Sequence, residues 1–278
     1  MLNLGVRAHD FGKLPADELA ARIARHGLAC VQLAPPKAIA GFENESSLSS
    51  EFARTVAGAF RRHGISISVL GCYINLGDRN EATRRPQLER FKEHLRFARD
   101  FGCRMVATET GSLNPDFSRH PENGGDEAFQ IVLAGVRELA REAERYDAIV
   151  GIEAVERYVI SSPERLRQLL DEVNSPSVQV VYDPVNLLWS TNYTRRKEIL
   201  ESAHALLGDR IRIVHAKDFV VEGAQFQERS AGEGQLDYPT VLRWLKAQRE
   251  NIPVILENTH PDTIARTVAF VREAYQHS

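Results

Sequence analysis

Residues 178–184 read Val178-Gln179-Val180-Val181-Tyr182-Asp183-Pro184, a short, largely apolar and β-branched run that stops on a carboxylate and a proline. With almost no polar alternation, such a run suits a strand of a parallel sheet covered on both faces. Runs of the same kind recur at 2–6, 29–33, 65–70, 104–108, 149–154, 211–215 and 253–257. Amphipathic stretches alternate with them, at 16–26, 48–63, 87–101, 126–147, 163–173, 195–207, 238–250 and 262–276, and these read as helices. Several have recognisable ends. Ser161-Ser162-Pro163-Glu164 offers a capping hydroxyl and a proline for the first turn, while His26-Gly27, His63-Gly64, Phe101-Gly102 and Leu207-Gly208 put glycine just past a helix. Eight strand–helix units follow one another with no linker, low-complexity segment or composition break. They predict one α/β domain over 1–278, a single (β/α)8 TIM barrel. A doubly wound open sheet is the competing architecture, but the first βα turn, Arg7-Ala8-His9-Asp10-Phe11-Gly12, lacks its glycine fingerprint. The helix-poor stretches 34–47 and 109–125 then become long βα loops at one rim.

Length and composition agree with this. A chain of 278 residues suits a barrel of ~250 residues, and 43% hydrophobic with 26% charged residues is ordinary for a globular protein. The net charge of −3 supplies no footprint for gripping a polyanion, which argues against nucleic acid as a partner. Cys30, Cys72 and Cys103 are odd in number, lack CxxC spacing and sit in or beside apolar runs. They read as buried free thiols in a reducing cytoplasm, not as a disulfide framework. The N-terminus has no basic segment leading into an apolar one, and no apolar run approaches ~18 residues. The expectation is a soluble, cytoplasmic protein with no membrane partner; a homo-oligomer is compatible with it.

Barrel enzymes build their sites from the C-terminal ends of the strands. Here four successive strand candidates end on Glu153, Asp183, His215 and Glu257, each directly after an apolar run. Burying an isolated carboxylate at such a place costs several kcal/mol unless positive charge compensates it. A divalent cation is the simplest compensation for three carboxylates and an imidazole; pairing of each with a local lysine or arginine is the alternative. An oxygen-rich set with one nitrogen suits Mn2+ first, or Mg2+, with Co2+, Fe2+ and Zn2+ also compatible.

In these residues the sequence resembles the xylose isomerase-like TIM barrel family, which includes sugar phosphate isomerases and epimerases, tagatose/psicose 3-epimerases and hydroxypyruvate isomerases. The resemblance spans nearly the whole chain. It rests on the four strand-end residues, on His215-Ala216-Lys217-Asp218, and on Gly232-Glu233-Gly234 followed by Tyr238-Pro239-Thr240-Val241-Leu242. Gly71-Cys72-Tyr73-Ile74-Asn75 and Thr108-Glu109-Thr110-Gly111-Ser112 add lesser similarities. It implies that Glu153, Asp183, His215 and Glu257 hold the metal and that Glu153 and Glu257 double as the catalytic acid/base pair. The reaction implied is isomerisation or epimerisation of a small sugar or sugar-like molecule, by proton abstraction α to a carbonyl through a metal-stabilised enediolate. A lyase or dehydratase of a polyol ketone, inosose-like or dehydroshikimate-like, would use the same stabilisation. Metal-dependent phosphodiester hydrolysis of damaged DNA, as in endonuclease IV-like relatives, would need more strand-end histidines and a basic surface. One departure stands out. Where many epimerase-like members carry histidine three residues after the strand-six aspartate, this chain reads Asp183-Pro184-Val185-Asn186, and asparagine does not titrate.

Other side chains fall near the same rim. Arg7, His9, Tyr73, Glu109, Asn186 and Lys217 are candidate substrate contacts, with Gln32 and Asn75 as further lining residues. Lys217 instead suits a salt bridge with Asp218 or another carboxylate, and Glu156 pairs most simply with the adjacent Arg157. His260 is expected to cap or pack a loop, and His26, His63, His94, His120, His204 and His277 to be solvated. The acidic residue inside Gly232-Glu233-Gly234 argues for a close-packed turn and against a phosphate cradle.

Overall fold

In a computed structural model, which describes residues 2–248 and 251–278, the parallel strands close on themselves. In chain order they are β1 (Leu4–Arg7), β2 (Cys30–Leu33), β3 (Ser66–Gly71), β4 (Met105–Glu109), β5 (Ile149–Glu153), β6 (Val178–Tyr182) and β7 (Ile211–Ala216), with β10 (Val254–Leu256) completing the ring against β1. This is the predicted (β/α)8 barrel. The helices around it are α1 (Ala16–Ala24), α3 (Ser50–Arg62), α4 (Glu81–Phe97), α5 (Asp126–Arg145), α6 (Pro163–Val173), α7 (Arg196–Leu207), α8 (Tyr238–Lys246) and α9 (Ile264–His277). The end of the helix expected at 238–250 lies partly outside the described residues.

Local chemistry explains the boundaries. Ser162 Oγ accepts from the Arg165 amide with Pro163 in the first turn, and Asn174 closes α6 in the left-handed region. In α5, Phe129, Val132, Leu133, Val136, Leu139, Ala140 and Ala143 are buried at helical spacing and press one face onto the barrel. Helix α4 starts six residues earlier than expected. Asn80 caps it by accepting from the Ala82 amide, so Pro86 falls inside the helix where the sequence suggested a start beyond it.

Besides short 3-10 turns, two elements among the described residues had no counterpart in the sequence reading. One is the four-residue helix α2 (Pro35–Ala38). The other is an antiparallel hairpin, β8 (Asp218–Glu222) with β9 (Gln225–Arg229), inserted directly after β7. Strand β9 is polar and largely unburied, and β8, although it carries Phe219-Val220-Val221, follows β7 after a single residue, so neither reads as a separate strand. The histidine expectation also needs correcting. His94 is buried because it shares the inward face of α4 with Phe91 and Leu95, and its Nδ1 lies 2.9 Å from the Arg90 carbonyl. His204 is half-buried and stacks on Trp244 at 4.7 Å, and burial lowers its pKa to about 4.

Barrel closure imposes one tight approach. A Cβ on Gly5 would sit 2.3 Å from the Cys30 carbonyl oxygen on the neighbouring strand, and that backbone is fixed in the ladder. Gly5→Ala is therefore expected to destabilise the protein by about 1–3 kcal/mol in urea unfolding. A change near zero would mean that β1 and β2 can part without cost.

Candidate active site and metal centre

Strand geometry delivers the site. Glu153 is the last residue of β5, Asp183 follows β6, His215 lies near the end of β7 and Glu257 follows β10. All four are buried, with exposures of 7%, 2%, 2% and 5%. Their polar atoms converge on one imidazole nitrogen. His215 Nδ1 lies 3.4 Å from Glu153 Oε2, 3.8 Å from Asp183 Oδ2 and 3.5 Å from Glu257 Oε1. Its other nitrogen, Nε2, is 2.8 Å from Gln32 Oε1, and Gln32 Nε2 donates to the Tyr73 hydroxyl at 2.9 Å. That second contact fixes the ring, as outer hydrogen bonds do for metal-ligating histidines.

Lysine 217 supplies the other positive charge. Its Nζ is 3.1 Å from Asp183 Oδ2 and 3.5 Å from Glu257 Oε2, and it donates to Asn186 Oδ1 at 2.8 Å. Asn186 Nδ2 in turn donates to Glu153 Oε1. The departure at position 186 thus has a structural consequence. The amide bridges a cation and a carboxylate, accepting from one and donating to the other, which fixes its orientation. Asp183 Oδ1 accepts from the Val185 and Asn186 amides, leaving Oδ2 to face the cluster.

Burial and charge pull the protonation equilibria apart. Burial alone would raise Glu257, but His215, Lys217 and Arg7 together hold it down to about 2. Burial would lower His215, yet Glu257 and Glu153 hold it up to about 9. Asp183 is raised to about 6 by burial, against the pull of Lys217. Glu109 is raised to about 7 by burial and by repulsion from Glu153, its register partner on β5. These shifts describe carboxylates packed more densely than the cations of His215, Lys217 and Arg7 compensate.

The donor set fits a divalent ion. Ligand atoms of Glu153, Asp183 and His215 lie within 4.8 Å of one another, close to the ~4.4 Å span of a shell built on ~2.2 Å bonds. Asp183 Oδ2 and His215 Nδ1 are buried without an aligned hydrogen bond and face the same gap, where the imidazole offers a lone pair once it gives up its proton. The carboxylate of Glu257 adjoins His215 but stands outside that group of three.

Of the remaining candidates, Arg7 donates to Asp10 Oδ1 at 2.8 Å and Asn258 Oδ1 at 3.0 Å and lies 3.5 Å from Glu257. His9 sits edge-on to Tyr73 with its Nδ1 buried, and burial with the charges of Arg7 and Lys37 lowers its pKa to about 3, so it is a neutral imidazole. Asn75 does not line the site. It is fully buried and ties loops together, accepting from the Ser112 amide and donating to the Asn114 carbonyl. Glu156 pairs with Arg119, not with Arg157. Asp218 turns away from Lys217 and accepts from the amides of Phe219, Gly232 and Leu236, pinning the Gly232-Glu233-Gly234 turn. A Cβ on Gly234 would lie 2.2 Å from the Phe219 carbonyl, which is the close packing that glycine permits there. Sequence reasoning missed Glu228, on the hairpin, whose Oε2 is 3.2 Å from Lys217 Nζ and accepts from Asn258 Nδ2 at 2.7 Å.

Comparison with known proteins places this arrangement. A family model described as "Xylose isomerase-like TIM barrel" matches residues 20–274. A curated D-psicose 3-epimerase from Enterocloster bolteae is 24% identical over 179 residues, 58% of this chain and 58% of that protein, so the match spans less than two thirds of that relative's length. Among solved structures, a D-tagatose 3-epimerase-like protein superposes with a TM-score of 0.78 at 18% identity, covering 99% of this chain and 98% of that one. The IOLI protein, solved with a zinc atom, gives 0.74 at 17% identity over 98% and 96%. At such identities the structural likeness establishes the shared fold.

Two outcomes test the site. In metal-free protein the raised His215 pKa contributes stability that is complete below about 6.5 and is lost as pH rises towards 9. Because a metal requires the neutral ring, Mn2+ affinity by calorimetry should rise over that same window, and a flat profile would contradict the assignment. Gln32→Leu, which releases His215 Nε2, should weaken Mn2+ binding by about 10–100-fold with the fold intact by circular dichroism.

Proposed function

The chain belongs to the xylose isomerase-like TIM barrel family, and from that premise we propose that it is a divalent-metal-dependent sugar isomerase or epimerase. The observation that carries the proposal is the convergence of Glu153, Asp183 and Glu257 on His215 Nδ1, with Asp183 Oδ2 and His215 Nδ1 both buried and without an aligned hydrogen bond. Glu153, Asp183, His215 and Glu257 would hold the ion, with Mn2+ the best match to an oxygen-rich set bearing one nitrogen. When bound, it supplies Lewis-acid stabilisation for negative charge developing on substrate oxygens.

The chain's own residues do the rest. Glu153 and Glu257 approach the imidazole from different strands and serve as the acid/base pair: one removes the proton α to a carbonyl and the other returns a proton to the resulting enediolate. The Asn186 amide holds one oxygen of Glu153 and so orients the other. Arg7, His9, Tyr73, Glu109, Asn186 and Lys217 surround the place where a small polyhydroxylated substrate binds. The curated psicose epimerase relative supports a ketose as the substrate class.

Metal-loaded protein incubated in D2O with ketoses, aldoses and inososes, free and phosphorylated, should place solvent deuterium in an isomeric product. Glu153→Gln and Glu257→Gln should each slow that exchange by about 10²–10⁴-fold. Full exchange in both variants would remove them as the acid/base pair, and loss of water from the substrate would replace isomerisation with dehydration.

A further inference from the structure

Asp183 Oδ2 is contested. It is one of the buried oxygens facing the candidate metal position, and it is also the carboxylate oxygen nearest Lys217 Nζ, at 3.1 Å. A buried ammonium and a divalent ion cannot share that oxygen and the Glu257 carboxylate without strong repulsion. Lys217 has one further anionic partner. Glu228 Oε2 stands 3.2 Å from the same ammonium, on the side contributed by the β8–β9 hairpin. Its side chain is 36% exposed, whereas those of Lys217 and Asp183 are 5% and 0% exposed. Glu228 is therefore the outer end of a short charge relay.

The hairpin that carries Glu228 is held in place. Phe226 on β9 stacks on Phe219 at 4.8 Å and on Trp189 at 5.4 Å, joining the hairpin to the segment after β6. Asn258 Nδ2 donates to Glu228 Oε2 at 2.7 Å while its Oδ1 accepts from Arg7, so the carboxylate is also tied to the end of β1.

We propose that Glu228 is a positioning residue that sets metal affinity by taking the Lys217 ammonium as a divalent ion takes Asp183 and Glu257. Lys217 is the counter-charge that keeps the carboxylate cluster folded before metal arrives, and Glu228, already in contact with it, becomes its main partner afterwards. The inference rests on the metal-centre reading above and concerns how the chain makes room for the ion.

Calorimetric titration of Mn2+ into the chelator-treated full chain tests this, with thermal unfolding of the metal-free protein alongside. Glu228→Gln, which keeps an acceptor for Asn258, should weaken Mn2+ binding by about tenfold, and should lower metal-free stability less than Lys217→Met does because Asp183 and Glu257 still pair the ammonium. Lys217→Met should lower metal-free stability and tighten Mn2+ binding, because the competitor is gone. The deciding readout is the double variant. In the Lys217→Met background, Glu228→Gln should have little effect, since no ammonium remains to be received. A tenfold loss that persists in that background would reduce Glu228 to a distant attracting charge and overturn the proposal, as would wild-type affinity in Glu228→Gln alone. Wild-type protein that binds no Mn2+ would instead overturn the metal centre itself, so the two failures are distinguishable.

Discussion

Three carboxylates buried around one imidazole are the constraint on which the functional end of this barrel depends. Unpaired, each would cost several kcal/mol to desolvate. The protein compensates them with a protonated His215 and with Lys217, whose ammonium lies within 3.1–3.5 Å of Asp183 and Glu257. That compensation is only partial, as the raised Asp183 and Glu109 pKa values record. A cluster poised in this way gains most from added positive charge, which a divalent ion would supply as the histidine gives up its proton.

The scaffold makes such crowding tolerable. Glu153, Asp183, His215 and Glu257 come from four strands that are neighbours around part of the ring, in the order β5, β6, β7 and β10. Glu153 and His215 sit in strand ladders, and Asp183 and Glu257 directly follow paired strands, so the side chains cannot drift far apart to relieve repulsion. Relief comes from the shell around them: Gln32 and Tyr73 behind His215, Asn186 between Glu153 and Lys217, and backbone amides on Asp183 Oδ1. Asn186 shows how a non-titrating residue serves here. It transmits no proton, but it couples the cation to the carboxylate and sets the orientation of both.

Much of this was legible in the sequence because it follows from local pattern. The run at 178–182 and the helix at 163–173 match their structural bounds, since apolar β-branched continuity and a Ser-Pro cap are local signals. The four strand-end residues were readable for the same reason: a strand end is one position in a run. What was hidden depends on partners distant in sequence. Glu228 lies on the polar strand β9, which has no strand signature, and its importance comes from Lys217 eleven residues earlier. Glu156 finds Arg119 across a loop instead of its neighbour Arg157. His94 looked solvated because the sequence does not say which side of α4 faces the barrel, and the start of that helix was obscured by Pro86.

The central claim is that these buried acids and their histidine exist to hold one divalent ion. Anomalous diffraction at the manganese edge from crystals soaked in Mn2+ tests it most directly. The account predicts a single strong peak bounded by the carboxylates of Glu153 and Asp183 and by His215 Nδ1, with Lys217 Nζ displaced from Asp183. Well-ordered Glu153, Asp183 and His215 side chains with no anomalous peak between them, under saturating Mn2+, would contradict it.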